Sequence, residues 1–485
     1  MQQSAFSKAL TKLEKFNEFV LKDKKLRALF VDGEYDFLQA YQVFFFSYLT
    51  GLYGAEGWGS TDNVRESKAG AKIRLRQVVA VLWSAFSYIW LILSRRQVII
   101  FGPDRDTSST YYCDFRASNL YRGLQEKKIK FIEFFHTIFD INFISRAIYR
   151  HRPALYLEPL DTLYKLCEKL KLVSSNKLPP LDINAGEETE LFRTLISTYA
   201  PYIDRSRFKI RLLRRLLSLT NVQTAIGSED MRYYQELYVA CETLGIKSYA
   251  FLGGTISKYY VEYISHGETG TRVIKPSFLI VESNFWKNEL KRWGTYFAPE
   301  EIIIGGNIKA DHNFISPDAK AKKAEETITV LVPYETIAPK DEILKYIEKL
   351  SSHPEVIVIF KFRGDRDLTT QAREYGLPDS HQDNLKLITN LSEIKDFDIV
   401  LGTYSTFLYE MIGKLKPVVI LKTGLDWGEG LVINKLVDEI SIDELNLSEK
   451  LKEIKNISTP DLLKRRQILF GETIPLRETL DLILK

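Results

Sequence analysis

Thr403, Ser405, Thr406 and Glu410 hold the densest ligand-binding chemistry in this chain. The hydroxyls belong to the small polar turn Gly402-Thr403-Tyr404-Ser405-Thr406. It lies between an apolar strand-like run, residues 398–401, and a helix-like segment, 407–415, which Pro417 ends. Where a strand gives way to a helix, the first helical N–H groups have no partner inside the helix. Amides and hydroxyls placed there suit an anion. Glu410, one turn further in, is spaced to accept hydrogen bonds from a ribose. The combination points to a nucleotide-sugar site at the carboxyl end of a parallel sheet. Serine and threonine are also common helix N-caps, so the local pattern alone leaves both readings open.

A second cluster is cationic. The apolar run 356–360 ends in Lys361, Arg363 and Arg366, where a buried strand leaves its sheet. Cations at such an end suit a diphosphate or a departing phosphate, whose charge they would stabilise. Solvated charge at a strand end is the alternative. A third signal is the strand-like run 302–304 followed by Gly305-Gly306-Asn307, which lets backbone approach a ligand or another loop. A tight turn between domains reads the same way.

The elements that must position these groups alternate. Residues 98–102 read as a strand with a polar loop at its carboxyl end, 116–127 as a helix and 130–135 as a second strand, a βαβ unit. Residues 140–220 read as helical with polar breaks. Strands follow at 223–227, 246–252, 278–282 and 301–305, with a helix at 231–244. After a lysine-rich connection at 318–326, strands are expected at 327–333, 356–362, 385–388, 398–401 and 417–421. Helices are expected at 341–350 and 406–415, with a helical tail over 461–485. This alternation predicts an α/β protein of two facing, Rossmann-type, doubly wound domains. The expected units are a helical N-terminal extension (1–95), an N-terminal acceptor domain (96–318) and a C-terminal donor domain (319–485). Asp32-Gly33 reads as a turn.

Composition narrows the class. At 485 residues, 45% apolar and 27% charged, the chain is long enough for more than one core. A net charge of +4 gives no case for nucleic acid. Cys113, Cys167 and Cys241 have neither metal-ligand nor redox spacing, and the histidines form no zinc pattern, so no metal is expected. The first residues lack the apolar core of a signal peptide, which suits a cytoplasmic protein. Residues 78–93 are uncharged and aromatic, flanked by Arg74, Arg76, Arg95 and Arg96. The run is short of the ~20 residues that span a bilayer. It reads as a buried or interfacial helix, and the basic, aromatic N-terminal helices offer contact with the inner face of a membrane.

Four runs together resemble a known family. They are 275–287 (beginning Lys275-Pro276), 303–311 around Gly305-Gly306-Asn307, Phe360-Lys361-Phe362-Arg363-Gly364, and Gly402-Thr403-Tyr404-Ser405-Thr406 with Glu410 and Gly413 to Pro417. Over residues 220–425 this order resembles GT-B glycosyltransferases of bacterial surface polysaccharide (capsule and lipopolysaccharide) synthesis. Related groups are the capsule polysaccharide, sialyl- and Kdo-transferases and the teichoic-acid glycerophosphotransferases. The resemblance implies a GT-B fold and a nucleotide-sugar donor as substrate, with no further cofactor. It also implies a glycan or lipid-linked acceptor. The family's paired hydroxyls match Ser405 and Thr406, implying contact with donor phosphate, and its following glutamate matches Glu410, implying contact with ribose or sugar hydroxyls. Gly305, Asn307, Lys361, Arg363 and Thr403 complete the implied donor set. A Lys/Arg-x-His-Pro motif of these families reads Lys361-Phe362-Arg363-Gly364 here, which keeps phosphate pairing and loses the proton-donating histidine. Their Gln-His-Gly reads Leu252-Gly253-Gly254. An inverting transfer needs a base in the N-terminal half, and Asp104, Asp106 and His266 are the candidates. An epimerase or polyol-phosphate transferase on the same fold, or a non-catalytic nucleotide- or glycan-binding scaffold, are the alternatives.

Overall fold

The computed structural model describes residues 5–54, 71–102, 117–136, 152, 154–173, 183–227, 233–252, 256–263, 272–294, 296–306, 327–364, 366–377, 384–394, 396–471 and 474–484. Near the N-terminus, β1 (Val31–Asp32) and β2 (Tyr35–Asp36) form a hairpin. The expected turn at Asp32-Gly33 is its tip, with Gly33 at φ +60°, a conformation glycine adopts without a Cβ penalty.

The first large sheet contains β3 (Val98–Gly102), β4 (Phe131–Phe135), β5 (Ala154–Tyr156), β6 (Thr224–Gly227) and β7 (Lys247–Phe251). After β8 (Arg272–Val273), which joins the small hairpin sheet, β9 (Phe278–Val281) and β10 (Ile302–Ile304) complete it. The strand order is β10-β9-β7-β6-β3-β4-β5, parallel throughout. The second sheet contains β11 (Ile328–Pro333), β12 (Val356–Lys361), β13 (Leu385–Ile388), β14 (Ile399–Gly402), β15 (Val418–Leu421) and β16 (Asp438–Ile440). Its order is β13-β12-β11-β14-β15-β16, again all parallel.

Both sheets obey one rule. The chain steps outward from its first strand through the next two, then returns to the other side of that first strand and steps out again. The reversal falls between β3 and β6 in one sheet and between β11 and β14 in the other. This is the doubly wound Rossmann arrangement, in which ligands bind beyond the carboxyl ends of the strands at the reversal point. The strand composition fits, because β3, β14 and β15 are continuous apolar runs buried at every position. Sheets covered by helices on both faces require this.

The expected α/β class with two doubly wound sheets therefore holds. One expectation is corrected inside the stretch 140–220. β5 lies there as the edge strand beside β4, short enough to be lost within the surrounding helical pattern. β16, at the other sheet's edge, carried no sequence expectation.

Several elements tie the halves together. Phe6, on helix Ala5–Lys22, sets its ring edge-on against Tyr259 (5.7 Å) and Trp427 (5.7 Å), one from each half. Tyr259 and Trp427 also pack on each other, and Lys258 pairs with Asp426. Trp286 meets Tyr409 at 5.4 Å. The tail is two helices rather than one. Thr459–Phe470 packs between helices Asn284–Trp293 and Thr406–Gly413, and Leu476–Ile483 returns to helix Ser118–Glu126 beside the first sheet. Among the described residues no helix is long and apolar enough to cross a membrane.

Candidate functional site at the reversal point of the second sheet

β11 and β14 are neighbours, so the loops at their carboxyl ends meet. The loop after β11 supplies Glu335, whose side chain is buried. One carboxylate oxygen, Oε2, accepts hydrogen bonds from the Thr403 N–H (2.7 Å) and the Thr403 hydroxyl (2.6 Å). The other, Oε1, accepts from the Tyr404 N–H (3.1 Å) and the Ser405 N–H (2.7 Å). The anion held by these successive amides is thus the chain's own carboxylate. Burial pushes the Glu335 carboxyl above its ordinary 4.5, and the four donors only partly offset that. Gly402 makes room for the arrangement, since a Cβ there would lie 3.0 Å from Glu335 Oε1 and 2.9 Å from Leu408.

Helix Thr406–Gly413 starts from this turn. Ser405 is its N-cap, its Oγ accepting from the Phe407 N–H at 3.2 Å. Thr403 is fully buried against Glu335, whereas Thr406, at the first helical position, is exposed. Glu410 stands one turn further on, half-buried.

Lys361 reaches the same place from the end of β12. Its ammonium lies 6.0 Å from the centre of the Phe407 ring and 3.3 Å from the Phe362 carbonyl. Desolvation lowers the Lys361 pKa, and the charges of Glu410 and Glu393 work against that shift. Glu410 thus acts electrostatically on Lys361, and Thr406, at the start of the helix that bears Glu410, is exposed. Arg363 is exposed just past the strand end, its backbone clamped by Gln371, which accepts from its N–H (3.3 Å) and donates to its carbonyl (2.9 Å). Arg366 turns aside into a bidentate pair with Glu374, both contacts 2.7 Å.

The remaining sequence candidates fall elsewhere. Gly305 and Gly306 directly follow β10 of the first sheet and pack against the returning C-terminal segment. The Gly306 N–H donates to the Thr479 hydroxyl at 2.7 Å, and a Cβ on Gly306 would sit 2.6 Å from the backbone at Ile474 and Leu476. Asn307, Asp104, Asp106 and His266 lie outside the described residues. Glu335 was missed. Its local signal was only an acid just after an apolar strand, and its partner turn lies far along the chain.

No family model and no curated protein matches this chain. Solved structures align with it along most of its length. They include the glycotransferase of kitacinnamycin, at 11% identity over 80% of this chain and 98% of that one, TM-score 0.48. A glycosyltransferase from Rickettsia africae aligns at 12% identity, covering 81% and 99%, TM-score 0.45. The UDP-GlcNAc 2-epimerase of Methanocaldococcus jannaschii, in complex with UDP-GlcNAc and UDP, aligns at 13% identity, covering 80% and 99%, TM-score 0.45. Likeness at this level assigns no activity and no residue role.

Proposed function

We propose that this chain is a GT-B-type glycosyltransferase that moves a sugar from a nucleotide-activated donor to a surface-polysaccharide or lipid-linked acceptor. The observation that carries the reading is the approach of Lys361, at the end of β12, to Phe407 in the first turn of the helix that also bears Glu410. The two sides come from separate strand–helix units, and Thr406, at the start of that helix, is exposed. A cation, a hydroxyl at a helix start and a carboxylate one turn on are the groups that a diphosphate and a ribose need.

In this reading the acceptor hydroxyl attacks the anomeric carbon as the bond from that carbon to the phosphate oxygen breaks. The electron pair leaves on the nucleotide phosphate, where Lys361 and Arg363 meet the developing charge. Ser405 and Thr406 orient the phosphate and Glu410 the ribose. The proton passes to a base in the N-terminal half, for which Asp104, Asp106 and His266 are the candidates. The protein's own cations supply the neutralisation, so turnover is expected to persist in EDTA.

A lipid-linked acceptor fits one further feature. Helix Ala71–Ser94 exposes Leu82, Phe86, Ile89 and Leu93 along one stripe, Leu93 being 76% exposed. The neighbouring helix Glu158–Lys169 and the turn after it add exposed Leu166, Leu170 and Leu172, with Lys165, Lys169 and Lys171 among them. Apolar side chains edged by lysines suit an anionic bilayer surface.

Thermal-shift screening against CMP, CDP, UDP and GDP, followed by donor turnover with and without acceptor, tests the function. A ligand of the native state raises the melting temperature. Conversion of the donor without acceptor would mark an epimerase. Nucleotide binding with no turnover over a broad donor and acceptor panel would mark a binding scaffold.

A further inference from the structure

The core of the N-terminal helices does not end within the first half. Phe6, Ala9 and Leu13, on helix Ala5–Lys22, belong to one buried apolar cluster with Ile337, Leu425 and Trp427. Tyr404, half-buried, packs against the same cluster. Those last four residues lie on three loops. Ile337 follows β11, Tyr404 follows β14, and Leu425 and Trp427 follow β15. The three strands are neighbours, so the loops sit side by side at the carboxyl edge of the second sheet. The loops after β11 and β14 are those that build the candidate donor turn.

The contacts form a chain of rings. Phe6 meets Trp427 edge-on at 5.7 Å, and Trp427 meets the Tyr404 ring at 5.7 Å. Phe6 also rests edge-on against Tyr259 at 5.7 Å, and the Tyr259 hydroxyl donates to Asp426, next to Trp427. Tyr404 is held at both ends. Its hydroxyl accepts from the Ile337 N–H at 3.1 Å, and its own N–H donates to Glu335 at 3.1 Å. The β15 loop also approaches the turn directly, since a Cβ on Gly428 would stand 2.9 Å from the Thr403 carbonyl oxygen.

Interiors packed this closely pass a displacement on to their neighbours. Loss of the Phe6 ring gives Trp427 room to shift, and Tyr404 leans on Trp427. The Thr403, Tyr404 and Ser405 amides, aligned on Glu335, lie next in that chain.

We infer that Phe6 is a positioning residue for the candidate donor turn. Acting through Trp427 and Tyr404, it holds residues 403–406 in one geometry and makes the first helix part of the site. What the turn binds rests on the transferase reading; the hold of Phe6 on the turn does not.

Hydrogen exchange of the full chain, read by mass spectrometry over residues 402–408, tests it. Amides bonded to a buried carboxyl exchange only when their segment opens locally. In Phe6→Ala, exchange there is expected to be about fivefold faster or more, the scale of one or two lost ring contacts. Phe19→Ala is the control. Phe19 lies on the same helix but packs on Phe192 of helix Thr189–Tyr199 at 5.3 Å, so its loss should leave the turn unchanged. If Phe6→Ala does not fold, Phe6→Leu keeps apolar bulk and removes the ring edges. Titration of the same samples with UDP, CMP, CDP and GDP is expected to show binding weakened about fivefold or more in the Phe6 variant alone. Unchanged exchange at the turn in the Phe6 variant overturns the inference. An equal rise in Phe19→Ala does so too, because the helix then only adds general stability. Wild-type nucleotide binding that the Phe6 variant leaves untouched removes this inference and keeps the transferase reading. A wild type that binds none of the four nucleotides removes that reading, and exchange at the turn then decides this inference alone.

Discussion

Glu335 shows how one buried carboxyl can organise a turn between strand and helix. Its four donors come from a turn that, in sequence, offers amides to an external anion. Glu335→Gln would turn an NH2 group toward two of those donors and leave them unsatisfied. A loss of about 1–3 kcal/mol is expected in urea unfolding near neutral pH. The pH dependence has a definite sign. Burial raises the folded-state pKa above the ordinary 4.5, so over the window from 4.5 up to the folded value the native state binds more protons than the unfolded chain. Wild-type stability falls as pH rises through that window, and Glu335→Gln lacks this component, so the gap between the two proteins should narrow across it. A gap that widens would contradict the buried state of this carboxyl. At this scale the legible residues were those whose signal is local. Ser405, Thr406 and Glu410 share one turn and one helix, and Lys361 ends an apolar run. Glu335 was not legible, because it joins a turn far along the chain that only the strand order brings to it.

At the scale of elements, the strands were readable where continuous apolar runs left no other placement, as in β3, β11 and β15. β5 was not, because a strand of three residues sets no period. The Gly305-Gly306 pair was readable as a close approach, and the described structure places the returning C-terminal helix against it. Gly306→Ala puts a Cβ 2.6 Å from backbone atoms of Ile474 and Leu476, which cannot rotate away. Overpacking of this kind should cost about 1–3 kcal/mol and loosen helix Leu476–Ile483, read as faster proteolysis near the C-terminus. Unchanged stability and cleavage would show that the helix docks without this contact. The exposed stripe on helix Ala71–Ser94 gives a separate expectation. Replacing Leu82, Phe86 and Ile89 together by serine should abolish co-sedimentation with vesicles rich in anionic lipid and leave the melting temperature nearly unchanged, because these side chains are already exposed. Co-sedimentation that persists in this variant would exclude the stripe as the membrane contact.

At the scale of the whole molecule, two sheets with one winding rule are joined by aromatic contacts, the Lys258–Asp426 pair and the two C-terminal helices. Trp427 touches Phe6, Tyr259, Tyr260 and Tyr404, drawing on both halves and the first helix. Trp427→Ala should cost about 3–5 kcal/mol and separate the unfolding of the two halves into distinct calorimetric steps; a single transition at nearly the wild-type temperature would show that the remaining contacts suffice. The proposed function requires that the carboxyl edge of the second sheet bind a nucleotide. Calorimetric titration of wild type, Lys361→Ala and Glu410→Ala with UDP, CMP, CDP and GDP tests it most directly. One of these nucleotides is expected to bind the wild type, and each substitution to weaken it about tenfold or more, the scale of a charge-assisted contact. Binding that is unaffected by both substitutions, or the absence of binding by all four nucleotides, would contradict it.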